Sequence, residues 1–251
     1  MTKVSVIIPA LNEAGNIGGL IEETFAHVPS TMLHEVIVID DGSSDATGAE
    51  IKALMTRYPS LRYIRHARPS GQSAAMRSGI LAATGNVIAT MDGDGQNDPR
   101  DIPGLVARLG NDGSKGPALV GGVRVNRQAE GSKRWASSFA NWLRDALLKD
   151  NCPDTGCGIK AYKRDAYMLL PFFHGQHRYL PALYISYGHE VAYAPVNDRV
   201  RRAGVSKYTN FGRALIGIYD LIGVRWVRKR TVWPEVVERR DGSAHTPPGA
   251  A

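Results

Sequence analysis

Short, continuous runs of apolar and β-branched residues recur along the first half of this chain and constrain its fold more than any other feature. Three of them occupy residues 4–8, 35–39 and 87–91, and segments with helical periodicity separate them. A strand that is apolar on both sides is typical of a parallel sheet that helices cover on both faces. The pattern therefore predicts an α/β fold with a mostly parallel sheet.

The same pattern gives a set of expected elements, with Asp45 as the predicted N-cap of the second helix. The predicted strands cover residues 4–8, 35–39, 61–64, 87–91, 118–122 and 190–196, and a loop followed by a strand is predicted at 154–162. The predicted helices cover residues 17–27, 45–58, 73–83, 102–109 and 135–148, a segment that starts near residue 164, and residues 215–227. The last of these is an amphipathic helix that ends in a basic cluster.

Acidic or amide side chains follow three of the strands: Asn12 and Glu13, Asp40 and Asp41, and Asp92 and Asp94. Because the carboxyl ends of parallel strands meet at one sheet edge, where ligands of open α/β sheets bind, we expect these groups to lie together. Two hard oxygen ligands, such as those of Asp92 and Asp94, suit Mg²⁺ or Mn²⁺ that bridges nucleotide phosphates. The chain has neither a dinucleotide-binding glycine fingerprint nor a P-loop.

The paired aspartates allow two other interpretations, a simple loop and a calcium loop. Asp and Gly are ordinary turn formers, so the segment from Asp92 to Gly95 is also compatible with a simple loop. A calcium loop of the EF-hand type requires Gly at its sixth position and Glu at its twelfth. Asn97 and Pro103 occupy those positions, which excludes an EF-hand.

Composition narrows the possible partners. The net charge of +7 and the pI near 9.5 indicate an acidic partner, which includes phosphorylated substrates and anionic membrane surfaces. No nucleic-acid-binding module accompanies the basic residues. Cys152 and Cys157 lack the spacing of a zinc site. The sequence has no signal-peptide pattern and no apolar run of the about 18 residues that a spanning helix needs. We therefore expect a cytoplasmic protein, peripheral on the cytoplasmic face of a membrane.

Five motifs carry a resemblance to a known family. They lie at residues 6–13, 38–43, 91–96, 154–160 and 201–208. In this order and spacing they resemble family 2 glycosyltransferases of the dolichol-phosphate mannosyltransferase type, which have a GT-A fold. The resemblance implies one GT-A domain with a nucleotide-sugar-binding half at residues 1–97 and an acceptor-binding half at 98–210. An amphipathic helix region at 211–237 and a disordered tail at 238–251 would follow.

The resemblance also implies roles for individual residues, among which Asp92, Asp94 and Asp154 are the catalytic candidates. Asp154 would position the sugar or the acceptor. Mg²⁺ or Mn²⁺ would be bound by Asp92, Asp94 and Gln96. The acceptor phosphate would be bound by Arg124, Arg134 and Ser138. The nucleotide-sugar would be bound by Pro9, Ala10, Glu13, Asp40, Asp41, Asp92, Gly93, Asp94, Arg201 and Lys207.

The implied reaction is transfer of a hexose, with inversion, from a nucleotide-diphosphate sugar to a polyprenyl phosphate of the dolichyl or undecaprenyl kind. The resemblance favours GDP-mannose as the donor and allows a homo-oligomer. One alternative is a transferase that uses a UDP-sugar and a hydroxyl acceptor, which would need a carboxylate base. Another is a non-enzymatic module that binds nucleotides or membranes.

Simpler roles remain open for several residues. Glu13 is compatible with capping the first helix, and Arg134 with a solvated helix face. Arg201 and Lys207 are compatible with an ordinary basic turn. The apolar face of the helix at residues 215–227 either packs on protein or lies in a membrane interface with Trp226 and Trp233 at headgroup level. In the second case the basic cluster of Arg225, Arg228, Lys229 and Arg230 would lie over anionic lipid.

Overall fold

The computed structural model describes residues 2–110, 116–125, 144, 147–199 and 210–232, with only the backbone for 210–216. The strands are β1 (Val4–Ala10), β2 (Leu33–Asp40), β3 (Leu61–Arg65), β4 (Val87–Thr90), β5 (Leu119–Arg124), β6 (Lys160–Lys163) and β7 (Val191–Val196). The α-helices are α1 (Ile17–His27), α2 (Thr47–Met55), α3 (Gln72–Ala82), α4 (Ile102–Val106), α5 (Arg164–Met168), α6 (Leu180–Ser186) and α7 (Asn210–Arg230). Short 3-10 helices cover Pro99–Asp101 and Gln176–Arg178.

The described strands form one sheet of seven, in the order β3-β2-β1-β4-β6-β5-β7. Strands β1 to β4 are parallel to their neighbours in this group, and β5 is parallel to β7. β6 lies between β4 and β5 and is antiparallel to both. The predicted mostly parallel sheet is confirmed, and the two predicted halves of the domain share this single sheet.

Two apolar layers cover the sheet, because successive side chains of a strand point to opposite faces. Val6 and Ile8 of β1 pack with Ile17 of α1 on one face. Ile7, which lies between them in the sequence, packs with Ile80 of α3 on the other face. Helices therefore bury both faces of β1, which explains why this strand is a continuous apolar run.

Helix α7 packs on the domain through one side and exposes the other. Leu221 and Val224 are 5% and 1% exposed and join the apolar layer that contains α6. On the opposite side, Ile218, Ile222 and Trp226 are 49%, 61% and 62% exposed. The helix extends beyond the predicted residues 215–227 at both ends. Among the helices in the described part of the chain, none is both long and apolar enough to span a membrane.

Several predicted boundaries were inaccurate. The N-cap residue of α2 is Ala46 rather than the predicted Asp45, although Asp45 accepts the backbone N–H of Thr47 at 3.0 Å. The helix ends at Met55 rather than near Tyr58. Helix α4 ends earlier than predicted, and α6, which has Pro181 in its first turn, was not predicted. The predicted helix at 135–148 falls mostly outside the described residues, of which 144, 147 and 148 are helical.

Candidate functional site

The carboxyl ends of β1, β2 and β4 meet at one sheet edge, as predicted. The backbone N–H of Asp41 donates to the carbonyl of Ala10 at 2.8 Å. Gly93 lies against the end of β1 so closely that a Cβ atom there would be 2.9 Å from the carbonyl oxygen of Pro9. The glycine between Asp92 and Asp94 therefore allows the loop after β4 to approach β1.

Asp92 is partly buried at this edge, and its neighbours hold it from several directions. Its Oδ1 accepts a hydrogen bond from Nε2 of Gln72 at 2.7 Å. Its backbone N–H donates to Oδ1 of Asn97 at 2.9 Å. A Cβ atom at Gly158 would overlap both of its carboxylate oxygens. The carboxylate thus lies between the Gln72 amide and the backbone of the loop before β6.

The electrostatics of this carboxylate suit a cation. Burial and the nearby charge of Asp94 raise the pKa of Asp92 to about 6, although Lys160 and Arg124 act in the opposite direction. Two carboxylates that repel each other in this way are stabilised when a divalent cation lies between them. The residues present therefore fit a metal ion with oxygen ligands.

The described residues offer two carboxylates rather than a complete metal cage, since no group of three or more metal-binding side chains occurs among them. This number suits Mg²⁺ or Mn²⁺, which keep waters and bind substrate phosphates. Gln96 contacts Asp94 through its backbone N–H, 3.1 Å from Oδ1, and accepts the N–H of Arg199 at 3.0 Å. Its predicted role as a third metal ligand stays a prediction.

The two carboxylates after β2 are engaged with protein donors. Asp40 is fully buried and accepts from the N–H of Ser43 at 2.7 Å and the hydroxyl of Tyr63 at 2.8 Å. Burial by itself raises the pKa of Asp40, but these hydrogen bonds outweigh it and lower the pKa. Asp41 accepts the N–H groups of Ser70 at 2.9 Å and Gly71 at 2.7 Å. Direct contacts of either carboxylate with a nucleoside stay a prediction.

Glu13 lies at the same edge, next to the start of α1. Its Oε2 accepts Nδ2 of Asn16 at 3.0 Å, and its backbone N–H donates to the hydroxyl of Thr47 at 2.8 Å. The side chain thus contacts the side chain of Asn16, the N-cap residue of α1, and its predicted role in capping this helix stays a prediction. A contact with the nucleotide-sugar stays a prediction.

Arg124 and Asp154, to which the resemblance assigns separate roles, form a partly buried ion pair. Nε of Arg124 donates to one carboxylate oxygen at 2.7 Å and Nη2 donates to the other at 2.8 Å. The hydrogen bonds to Asp154 raise the pKa of Arg124. The pair uses two of the five N–H donors of the guanidinium.

The segment that follows β7 reaches the site edge. Arg199 forms ion pairs with Asp98, at 2.6 Å, and with Glu23. Its backbone contact with Gln96 places it directly beside the loop that follows Asp94. Four predicted site residues lie outside the described residues: Arg134, Ser138, Arg201 and Lys207.

The structure adds four residues to the site that the sequence did not single out as site residues: Gln72, Asn97, Lys160 and Arg199. Gln72 had a usable signal, because it begins the helix after β3 and therefore lies at the same sheet edge. Lys160 ends the motif at residues 154–160, but its place beside Asp92 depends on the insertion of β6 next to β4, which no local pattern indicates.

Comparison with known proteins is consistent with this arrangement. The family model described as "Glycosyl transferase family 2" matches residues 5–170. A dodecaprenyl-phosphate galacturonate synthase of Rhizobium johnstonii is 32% identical over 236 residues, which are 92% of this chain and 69% of the relative. An undecaprenyl-phosphate 4-deoxy-4-formamido-L-arabinose transferase of Salmonella paratyphi A is 34% identical over 222 residues, 88% of this chain and 66% of the relative. The chain spans about two thirds of these relatives.

A solved structure shares the fold. Glucosyl-3-phosphoglycerate synthase from Mycobacterium tuberculosis, crystallised with Mn²⁺, uridine diphosphate and phosphoglyceric acid, aligns with a TM-score of 0.68 and 22% identity. The alignment covers 92% of this chain and 80% of that one. This likeness confirms the predicted GT-A fold.

Proposed function

This chain belongs to glycosyl transferase family 2, and we propose that it transfers a hexose from a nucleotide-diphosphate sugar to a polyprenyl phosphate with inversion. The observation that carries the proposal is the pair of carboxylates of Asp92 and Asp94 where the chain leaves β4, close enough for one to raise the pKa of the other. The names of the two curated relatives, both polyprenyl-phosphate sugar transferases, support the acceptor class.

The donor diphosphate would lie at this edge. Asp92 and Asp94, with Gln96, would hold Mg²⁺ or Mn²⁺, which supplies Lewis-acid stabilisation of the departing nucleoside diphosphate. The nucleotide would pack against Pro9, Ala10 and Gly93. Glu13, Asp40 and Asp41 would contact or support its nucleoside, and Arg201 and Lys207 would neutralise its phosphates.

The acceptor chemistry removes the need for a general base. A phosphate monoester has a second pKa of about 6 and is therefore an anionic nucleophile near neutral pH. The protein then has to position this phosphate and neutralise its charge while the leaving group departs.

Arg124 is placed to do this. Its Nε and Nη2 are bound to Asp154. Within the described part of the chain, the N–H groups of Nη1 and the second N–H of Nη2 therefore remain for another anion. Asp154 would thus act on the acceptor through Arg124 rather than by touching the sugar. Arg134 and Ser138 would complete the phosphate site.

The donor sugar is the least constrained part of the proposal. The resemblance favours GDP-mannose, while the names of the relatives include a galacturonate and a formamido-arabinose. The direct test incubates the protein with a panel of GDP- and UDP-sugars, Mn²⁺ and polyprenyl phosphate, and identifies the glycolipid by mass. We expect a polyprenyl monophosphate that carries one sugar. Nucleotide binding without turnover of any donor would instead support a non-enzymatic module.

A hydroxyl acceptor is the second candidate, and one observation favours it. Among the described residues, Oδ1 of Asp198 is buried without a hydrogen-bond partner, within electrostatic range of Arg124. A carboxylate of this kind suits a general base, which typically contributes about 10²–10⁴-fold to the rate. Asp198→Asn separates the two candidates: a phosphate acceptor predicts an unchanged rate constant, and a hydroxyl acceptor predicts a loss of at least about 100-fold.

We also propose a peripheral membrane position on the cytoplasmic face. The exposed side of α7 combines Ile218, Ile222 and Trp226 with the exposed basic residues Arg225 and Lys229. Such a side suits an anionic membrane interface, where apolar groups enter the headgroup boundary and cations meet lipid phosphates. A second copy of the chain is the alternative cover for this face.

A further inference from the structure

Gln72 begins α3 at the sheet edge that carries the paired aspartates, and its side chain makes the hydrogen bond to Oδ1 of Asp92. We infer that Gln72 is a positioning residue, which holds the Asp92 carboxylate in the orientation that binds the divalent cation. The inference rests on the proposed metal site. Hydrogen bonds behind a metal ligand fix its orientation, and their loss typically weakens metal binding by about 10–100-fold.

The backbone is fixed on both sides of Gln72, which makes the position of its amide precise. On one side, Asp41 accepts the N–H groups of Ser70 and Gly71 at 2.9 and 2.7 Å. On the other side, the hydroxyl of Ser73 accepts the N–H of Gly175 at 3.1 Å and lies 2.6 Å from Nδ1 of His177. Because two separate segments hold the start of α3, a short Gln side chain reaches one defined point at the site.

Gly158 limits the carboxylate from another direction. A Cβ atom at this position would overlap the oxygens of Asp92, so only glycine allows the observed placement. The backbone at Gly158 is itself held by the hydroxyl of Thr90, which donates to its carbonyl at 3.1 Å. The Asp92 carboxylate is therefore confined between the Gln72 amide and the Gly158 backbone. A cation can approach it from the side that these two groups leave uncovered.

The test measures Mn²⁺ binding directly, from the electron paramagnetic resonance signal of free Mn²⁺, and needs no turnover. Gln72→Met keeps the length and helix preference of the side chain and removes the donor. We expect its Kd for Mn²⁺ to rise by about 10–100-fold. Thermal unfolding should stay near that of the wild type, because the Asp41 and Ser73 contacts that anchor α3 remain.

Gly158→Ala provides an independent variant, since its Cβ displaces the carboxylate from the opposite side. We expect weaker Mn²⁺ binding by a similar factor. The matched control is Gly104→Ala in α4, where the nearest atom to the new Cβ is the flexible end of Arg108 at 3.5 Å. Its Kd for Mn²⁺ should equal that of the wild type.

The outcomes separate this inference from the proposed function. If the wild type binds Mn²⁺, Asp94→Asn does not, and Gln72→Met binds as tightly as the wild type, the positioning role is wrong and the metal site stands. If the wild type does not bind Mn²⁺ at all, the metal site itself is wrong, and the role of Gln72 falls with it.

Discussion

Carboxylates at the sheet edge are held by donors from distant parts of the chain. Asp41 accepts two backbone N–H groups of the loop before α3, and Asp154 accepts two N–H groups of Arg124. Asp92 is held by a neutral amide instead. A neutral partner leaves the negative charge of Asp92 available to a cation, whereas the paired Asp154 has its charge compensated. The same residue type thus serves two purposes at one edge.

The first prediction concerns Arg124. Arg124→Lys keeps the positive charge but removes the planar fork that binds Asp154 and a second anion together. We expect the KM for polyprenyl phosphate to rise by at least about 10-fold, the scale of one lost hydrogen bond to a charged group. The KM for the donor should change little. Steady-state kinetics with each substrate varied in turn provides the measurement.

The control variant is Arg57→Lys, which changes an exposed basic residue after α2, away from the site. It should leave both KM values unchanged. A rise in the donor KM with an unchanged KM for the lipid would mean that Arg124 belongs to the donor half of the site.

At the residue scale, the sequence predicted which chemical groups lie at the sheet edge. It predicted less well which of these groups contact one another. Asp92 and Asp94 were predictable because they directly follow an apolar strand. The pairing of Arg124 with Asp154 spans 30 residues, and the contact of Gln72 with Asp92 spans 20. Such contacts depend on how strands are ordered in the sheet, which local sequence patterns do not encode.

Among the elements, β2 carries a buried charge at the edge opposite to the site. Glu35 is 4% exposed and accepts from Ser5, Arg62, and the backbone and hydroxyl of Thr84. Burial by itself raises the pKa of Glu35, but these hydrogen bonds outweigh it and lower the pKa to about 2. The ionised carboxylate thus links β2 with β1, β3 and the segment before β4.

This lowered pKa gives a pH-dependent prediction. Since the folded protein holds the Glu35 carboxylate ionised, its contribution to stability is complete above the unfolded pKa of about 4.5 and is lost as the pH falls towards about 2. We expect this contribution to be on the order of 3 kcal/mol, at about 1.4 kcal/mol per pKa unit. Glu35→Gln should lower the free energy of unfolding at pH 7.

Denaturant unfolding at several pH values checks this expectation. The difference between the wild type and Glu35→Gln should shrink as the pH falls from about 4.5 to about 2. A difference that stays constant over this range would show that the Glu35 charge contributes nothing to stability.

The sequence predicted the existence of most elements because apolar periodicity reports burial. It did not predict the direction of β6, since a local strand pattern does not distinguish a parallel from an antiparallel neighbour. Helix α6 was missed because it has only seven residues and begins with a proline turn. The longer extent of α7 was missed because its first and last turns are polar or basic, and helices extend beyond their apolar positions.

For the whole molecule, α7 connects the site edge with the far end of the domain. The hydroxyl of Tyr179 donates to the carbonyl of Gly217 at 3.1 Å, near the loop that contacts the start of α3. Farther along α7, Nε of Arg228 donates to the hydroxyl of Ser186 at 3.0 Å. Arg228 is therefore engaged with α6, whereas the basic cluster predicted from the sequence included it as a membrane contact.

This placement sharpens the membrane prediction. Changing the exposed residues Arg225, Lys229 and Arg230 together to Gln should reduce sedimentation with anionic vesicles of phosphatidylglycerol and phosphatidylcholine. Each basic residue near such a surface contributes about 1 kcal/mol. Binding by the wild type should weaken as salt rises, because the attraction is screened.

The control variant removes the same number of positive charges outside α7, by changing Arg57, Arg100 and Arg108 to Gln. This variant should sediment as the wild type does. Equal binding of the wild type to neutral and anionic vesicles, or to neither, would contradict the membrane role of α7 and favour a second copy of the chain on that face.

The most direct test of the central claim is the rate of sugar transfer to polyprenyl phosphate as Mn²⁺ is titrated, for the wild type and Asp94→Asn. We expect wild-type transfer to stop in excess chelator and return when Mn²⁺ is restored. Asp94→Asn should be slower by at least about 100-fold at every metal concentration, the scale of a lost charge partner in the transition state. It should stay folded, since a change in a surface loop moves stability little. Wild-type transfer that continues unchanged in excess chelator, or equal rates for the two proteins, would contradict the account.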